Sequence, residues 1–312
     1  MITTVTMNPC IDKSITVAEF KYGRLNRVLS SRTDIGGKGI NVATAYKKLG
    51  GDVLCTGINY KNDGDFITDK LNEMNIPHDF VIVSGKLREN LKIVDQSNGY
   101  ITEINETGYL SSEKSIKELK EKVRILSKRS SLMVFSGSVP KCIESHIYKE
   151  LINECDQRTC KIILDAEGML LLEGLKAKPY LIKPNKFELE NALGSELNSL
   201  KELVSGARKL LNSGIQIICV SLGKDGAIIL NKDHVYYAPP LPVEVKSTVG
   251  AGDSMIAALC LAIEQKQPLN QMLRMAVAAA TATIQLEGTQ MCNKQNFDAL
   301  LPYVKITELS FN

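Results

Sequence analysis

The chain has no tryptophan and only three histidines, His78, His146 and His234. The missing tryptophan decides nothing. The scarce histidines do: none stands near another catalytic candidate in the sequence, so neither a histidine-based triad nor a histidine-ligated metal is expected. Eight cysteines occur without a CxxC pair or a regular framework, and Cys219 and Cys260 fall inside apolar segments. That pattern predicts buried free thiols in a reducing compartment rather than disulfides or zinc. Apolar runs fall short of the ~20 residues that span a bilayer. The strand-like Ile2-Thr3-Thr4-Val5 opens the chain without a basic and apolar leader, so the expected location is cytoplasmic. Charge of one sign is lacking too: 38 Lys and Arg against 35 Asp and Glu leave +3. Glu118 and Glu121 interrupt the one basic stretch, 117–129. Neither a nucleic-acid nor a membrane footprint is expected. A chain of 312 residues fits one large α/β domain with a small appendage.

What is present begins with Ser247-Thr248-Val249-Gly250-Ala251-Gly252-Asp253-Ser254, which runs straight into an apolar segment, 255–263. Two glycines separated by alanine permit a tight turn and close approach to a ligand. The apolar segment reads as a buried helix, whose first turn presents free N–H groups and a positive dipole end. The result is an anion hole over Gly250, Ala251 and Gly252 with one carboxylate, Asp253, at its lip. A carboxylate placed there suits a general base that deprotonates a hydroxyl while the hole stabilises a transferring phosphoryl group. The same residues also suit an Asp N-cap after a glycine-rich turn.

Strand and helix signals alternate through most of the chain. Segments 2–7, 52–57, 132–136, 161–165, 180–183 and 215–221 read as strands. Segments 40–49, 115–127, 143–155, 188–193 and 200–212 read as helices. Such alternation implies a mainly parallel sheet with helices on both faces, and ligands gather at the carboxyl ends of its strands. Asn8 to Asp12, Ser136 to Ser138, Lys183 to Asn185 and Ser221 to Gly226 each follow an apolar run. Two stretches, 12–32 and 88–106, break the alternation with period-2 patterns and no helix between strands.

These segments together resemble the ribokinase-type (PfkB) carbohydrate kinases, in their hexose-phosphate branch. The resemblance rests on Thr6-Met7-Asn8-Pro9-Cys10-Ile11-Asp12, Gly36-Gly37-Lys38-Gly39-Ile40-Asn41, Arg88-Glu89-Asn90-Leu91-Lys92-Ile93, Thr102-Glu103-Ile104-Asn105, Ser136-Gly137-Ser138-Val139-Pro140, Lys183-Pro184-Asn185 with Glu188, Ser221-Leu222-Gly223-Lys224-Asp225-Gly226, the 247–254 segment and Gly288-Thr289-Gln290. It covers essentially the whole chain. It implies a single three-layer α/β/α domain over residues 1–312 with a mainly parallel central sheet. A small β-sheet lid would form from about 12–32 and 88–106 and could clasp a second copy as a homodimer, with Arg27 reaching across.

The resemblance also implies the chemistry: an ATP- and Mg²⁺-dependent kinase of a sugar phosphate. Fructose 1-phosphate, phosphorylated at its 6-hydroxyl, is the expected acceptor; tagatose 6-phosphate or fructose 6-phosphate is the alternative, and a non-catalytic sugar-phosphate sensor is the reading from another class. Asp253 would be the base, and Gly250, Ala251 and Gly252 the anion hole. Asp12, Gly36, Gly37, Lys38, Asn41, Arg88, Asn90, Lys92, Asn105 and Ser138 would meet the sugar phosphate, with Lys38 and Arg88 suited to its phosphate. Lys183, Asn185, Ser221, Gly223, Gly226, Thr248, Gly250 and Gly252 would meet ATP. Asn185 and Glu188 would hold Mg²⁺ through water, although the same pair also reads as a capping box. Two departures from the family pattern stand out. The region after its second core strand reads Gly57-Ile58-Asn59-Tyr60-Lys61-Asn62-Asp63-Gly64 rather than a glycine-rich run, and Lys246 replaces a polar amide.

Overall fold

The computed structural model describes residues 1–109 and 113–310. Fourteen strands are built in chain order: β1 Ile2–Thr6, β2 Cys10–Val17, β3 Val28–Gly36, β4 Val53–Asn62, β5 His78–Lys86, β6 Arg88–Asp95, β7 Ile101–Asn105, β8 Leu132–Ser136, β9 Lys161–Asp165, β10 Leu181–Ile182, β11 Ile217–Ser221, β12 Ala227–Leu230, β13 Val235–Ala238 and β14 Thr307–Glu308. Ten of them form one sheet in the order β14-β13-β12-β11-β10-β9-β8-β1-β4-β5. From β11 to β5 all pairings are parallel, and β12 to β14 add an antiparallel edge.

The centre of this sheet is dictated by sequence. Every residue of β1 and β8 is buried, as a parallel strand covered on both faces requires. Polar residues there must find partners, and Thr3 does so with the Ser130 hydroxyl at 2.7 Å. Ten helices connect the strands: α1 Lys38–Lys48, α2 Asp65–Glu73, α3 Glu113–Ser127, α4 Ile147–Asn153, α5 Gly168–Leu175, α6 Lys186–Leu193, α7 Leu200–Leu211, α8 Ala251–Glu264, α9 Leu269–Ile284 and α10 Lys294–Leu300. Helices α1, α8 and α9 pack in sequence on one another, while α3 to α7 form a second connected group. The architecture is a three-layer α/β/α sandwich. Helix α8 is apolar nearly all round, with small residues Gly252, Ala257, Ala258 and Ala262, because it lies between α1 and α9. Its last residue, Glu264, accepts hydrogen bonds from the hydroxyls of Tyr46 on α1 and Ser131 before β8.

The remaining four strands make a separate small sheet, β3-β2-β6-β7. The β2–β6 pairing is parallel, and Asp12 stands directly beside Asn90. It is supplied by residues 10–36, wider than the expected 12–32, and by 88–105, one residue short of the expected 88–106.

Several bounds differ from the sequence expectation. The strand expected at 52–57 runs on to Asn62, because Gly57 takes φ +128° and keeps pairing with β5 opposite Phe80. The helix expected over 143–155 shortens to 147–153, with residues 141–146 in turns around Pro140. The strand expected at 180–183 narrows to two residues.

At Gly57 two constraints coincide: a positive φ, and a Cβ position only 2.0 Å from the carbonyl oxygen of Thr6 on β1. Gly57→Ala should destabilise the fold by at least about 2 kcal/mol, read as a lower denaturant midpoint. An unchanged midpoint would show that β1 and β4 can separate there at no cost.

Candidate active site

The carboxyl ends of β1, β8, β9, β10 and β11 open into one cavity of about 820 Å³, roofed by the small sheet. Of the residues singled out in the sequence, the structure gathers Asp12, Gly37, Lys38, Asn41, Arg88, Asn90, Asn105, Ser138, Lys183, Asn185, Glu188, Ser221, Gly250, Gly252 and Asp253 on its walls. Six others sit elsewhere. Gly36 packs behind the wall, where a Cβ would meet Cys10 and Asp12. Ala251, the first residue of α8, donates its N–H to the carbonyl of Thr248, and both lie beneath the turn rather than on the cavity wall. Gly223 and Gly226 shape the turn between β11 and β12. Lys92 is turned inward.

The turn before α8 forms because Gly250 adopts a left-handed conformation, φ 78° and ψ −2°, as the N-cap. No side chain caps this end, and the Gly252 and Asp253 amides have no acceptor among the described residues. They are the free N–H groups of a helix start, aimed into the cavity. Asp253, on the third residue of the helix, is buried and accepts from Asn41 Nδ2 at 2.8 Å. Burial pushes its carboxyl up to about 6; Lys38 opposes that shift, and Asp165 adds to it.

Asp165, at the end of β9, is the principal residue that the sequence reading misses. Lys183 Nζ lies 3.3 Å from one of its oxygens and Lys38 Nζ 3.9 Å from the other, while the Ser136 hydroxyl donates at 3.2 Å. Burial alone would raise its carboxyl, but the two ammonium groups outweigh that and hold it low. Asp165 in turn raises Lys38. Lys38 is therefore committed to positive charge beside the anion hole, and Lys183 is tied to the same carboxylate. A Cβ on Gly252 would come within 3.2 Å of Lys183 Nζ, so helix start and ammonium converge on one point. The signal for Asp165 was available: like Ser136 and Lys183, it is a polar residue closing a short apolar run.

Across the cavity, Asp12 takes Asn90 Nδ2 at 2.9 Å and Lys92 Nζ at 3.4 Å. Lys92 is only 6% exposed. The Thr289 hydroxyl lies 3.2 Å from its ammonium and 3.4 Å from Asp12. The sequence pattern that groups Arg88, Asn90 and Lys92 on one strand face is correct, but the three act differently. Arg88 is held by neutral acceptors, the carbonyls of Asn8 and Glu106 and Asn90 Oδ1, at 2.9 to 3.3 Å. A guanidinium so arranged keeps its full charge for an incoming anion.

Asn185 and Glu188 form a reciprocal capping box at the start of α6. The box uses Asn185 Oδ1 and Glu188 Oε2, leaving Oε1 of Glu188 for the cavity. Burial raises the Glu188 carboxyl, partly offset by the Asn185 amide. No group of three His, Cys, Asp or Glu residues that could hold a metal occurs among the described residues. No disulfide forms among the described residues; seven of the eight cysteines are buried and Cys142 is exposed.

Comparison with known proteins agrees with this geometry. The chain matches the model described as pfkB family carbohydrate kinase over residues 5–296. It is 36% identical over 310 residues to the 1-phosphofructokinase of Borreliella burgdorferi, covering 99% of both chains. It is 33% identical over 309 residues to the 1-phosphofructokinase of Bacillus subtilis, covering 99% of this chain and all of the relative. Among solved structures, phosphofructokinase-2 from Escherichia coli in complex with substrates and products superposes with a TM-score of 0.92 at 28% identity, over 97% of this chain and 99% of that one. A carboxylate at an uncapped glycine-rich helix start, two fixed ammonium groups beside it and full-length similarity of this kind lead to one assignment: the chain belongs to the pfkB family of carbohydrate kinases.

Proposed function

We propose that the protein transfers the γ-phosphoryl group of ATP to the 6-hydroxyl of fructose 1-phosphate, giving fructose 1,6-bisphosphate and ADP. The observation that carries this reading is Asp253, a buried carboxylate fixed by Asn41 at the lip of the α8 amides. In the proposed step Asp253 takes the hydroxyl proton, the sugar oxygen bonds to the γ-phosphorus, and the bond to the bridging oxygen of ADP breaks. The Gly252 and Asp253 amides, with Lys183 and Lys38, face the charge on the group in flight. Arg88 and Asn105 border the end of the cavity suited to the phosphate that the sugar already carries. The names of the relatives at 36% and 33% identity support the 1-phosphate as acceptor.

Glu188 and Asn185 would hold Mg²⁺ through water. A half-desolvated carboxylate with one free oxygen fits a cation that keeps most of its hydration shell and shares it with nucleotide phosphates. When bound, the ion would neutralise charge on those phosphates. The small sheet would act as a lid. Its outer strands β3 and β7 are exposed along most of their length and carry Val28, Leu29, Ile101 and Ile104, which supports a homodimer clasped through this sheet.

Asp253→Asn should lower kcat by about 10²–10⁴. The same change should stabilise the fold at pH 7. The raised carboxyl favours folding as pH falls from about 6 toward the unfolded value and costs stability above it. The wild-type kcat/KM should fall below about pH 6 as Asp253 takes a proton. A variant of near wild-type kcat, or one with a lower melting temperature at pH 7, would reject the assignment.

Lys92→Met leaves buried Asp12 without its cationic partner, a loss of about 3–5 kcal/mol. Adding Asp12→Asn should recover most of the stability and none of the acceptor affinity. A double variant no more stable than Lys92→Met would refute the pairing.

The acceptor is settled by comparing kcat/KM for fructose 1-phosphate, fructose 6-phosphate and tagatose 6-phosphate with ATP, each with and without excess EDTA. Fructose 1-phosphate should lead, and EDTA should abolish turnover until Mg²⁺ is restored. Preference for either 6-phosphate overturns the acceptor, and full activity in EDTA overturns the metal.

A further inference from the structure

A second cavity, of about 500 Å³, lies at the root of the small sheet, between the end of β3, the outer face of α1, the last turn of α2 and the segment 289–291. Its volume suits a small metabolite. Two of its charges are already satisfied: Arg32 grips Asp34 with two hydrogen bonds of 2.7 Å, and Lys70 reaches both oxygens of Glu73 at 3.0 and 2.8 Å. Lys48 is different. Its ammonium donates to the Met291 carbonyl at 3.2 Å and has no carboxylate partner among the described residues. Burial, with a smaller contribution from Arg32, lowers its affinity for a proton. One turn before it on α1, Thr44 is only 9% exposed, and its hydroxyl has no hydrogen-bond partner among the described residues. A second threonine, Thr289, closes the opposite wall. An ammonium short of a counter-ion and an unpartnered hydroxyl facing one cavity are donors for a small anion.

The walls of this cavity are shared with the catalytic cleft. Asn41 borders both cavities and donates to Asp253 at 2.8 Å. Thr289 contacts Lys92 and Asp12 on its far side. An occupant would thus touch, through one residue each, the supports of both carboxylates, and would bridge the small sheet to α1.

We infer that this cavity is a regulatory site for a small phosphorylated or carboxylate-bearing metabolite, bound by Lys48 and Thr44, and that its occupation changes acceptor binding in the neighbouring cleft. The site is separate from the catalytic cleft, and its binding test does not depend on the identity of the acceptor.

The test is calorimetric titration of the full-length protein with pyrophosphate and, separately, with citrate, using wild type, Lys48→Met, Thr44→Val and Arg88→Ala. At least one probe should bind wild type and Arg88→Ala at a site that Lys48→Met abolishes and Thr44→Val weakens about tenfold or more. Pyrophosphate alone at that site identifies a phosphate ligand, and citrate alone a carboxylate. Lys48→Met should keep the wild-type kcat and KM in anion-free buffer. The saturating probe should shift the acceptor KM of wild type by about threefold or more and leave that of Lys48→Met unchanged. The site is overturned if Lys48→Met binds both probes as wild type does, or if Arg88→Ala alone removes binding. Binding that depends on Lys48 without a change in KM overturns the regulatory role.

Discussion

Two buried carboxylates, Asp165 and Asp253, face one open cavity, and neither could be buried alone. Desolvation works against both, and Asp165 further raises the proton affinity of Asp253. What makes the arrangement tenable is the pair of lysines. Lys183 and Lys38 close on Asp165 and hold its carboxyl low, so both side chains are positioned independently of any ligand. Asp253 receives only Asn41 as a direct partner, which leaves it poised near neutrality rather than strongly acidic. The same electrostatic frame thus assigns unlike behaviour to like groups, one carboxylate structural and one chemically available. The sandwich fold serves this frame by delivering β9 and β10 side by side in parallel register, so that Asp165 and Lys183 emerge at the same edge.

The strand–helix alternation was legible because the central strands are short, fully buried apolar runs. The glycine-rich start of α8 was legible because few other local structures use two glycines, an aspartate and an apolar segment in that order. Bounds were harder to read wherever a tertiary contact overrides local pattern. β4 continues beyond Gly57 only because β5 is there to pair with it, and β10 is cut to two residues because Lys183 turns into the cavity. Asp165 escaped notice because its significance lies in two lysines distant in the chain, Lys38 and Lys183. Lys92 shows the converse. Its strand face could be read, but its direction of engagement, inward to Asp12 and Thr289, depends on a loop nearly two hundred residues away.

The capping box at Asn185 and Glu188 illustrates how one short pattern supports two readings at once. Reciprocal bonds satisfy backbone groups at the start of α6 and at the same time fix the side chain that carries the free Glu188 oxygen. A local folding device and a proposed ligand contact are here the same two residues, so selection on either acts on both.

Helix α8 has its proposed base in the first turn and Glu264 as the last residue, about 17 Å apart at 1.5 Å per residue. Glu264 is fastened to α1 through Tyr46 and to the approach to β8 through Ser131. The helix is therefore a rod clamped at its far end, with the proposed base at its near end held by Asn41 of α1. Small changes in how that clamp seats are carried along the rod undiminished, since a packed helix shifts as a unit. The far end of the molecule is thus a place where sequence drift can retune the depth of Asp253 in the cleft without altering any residue that a substrate would touch.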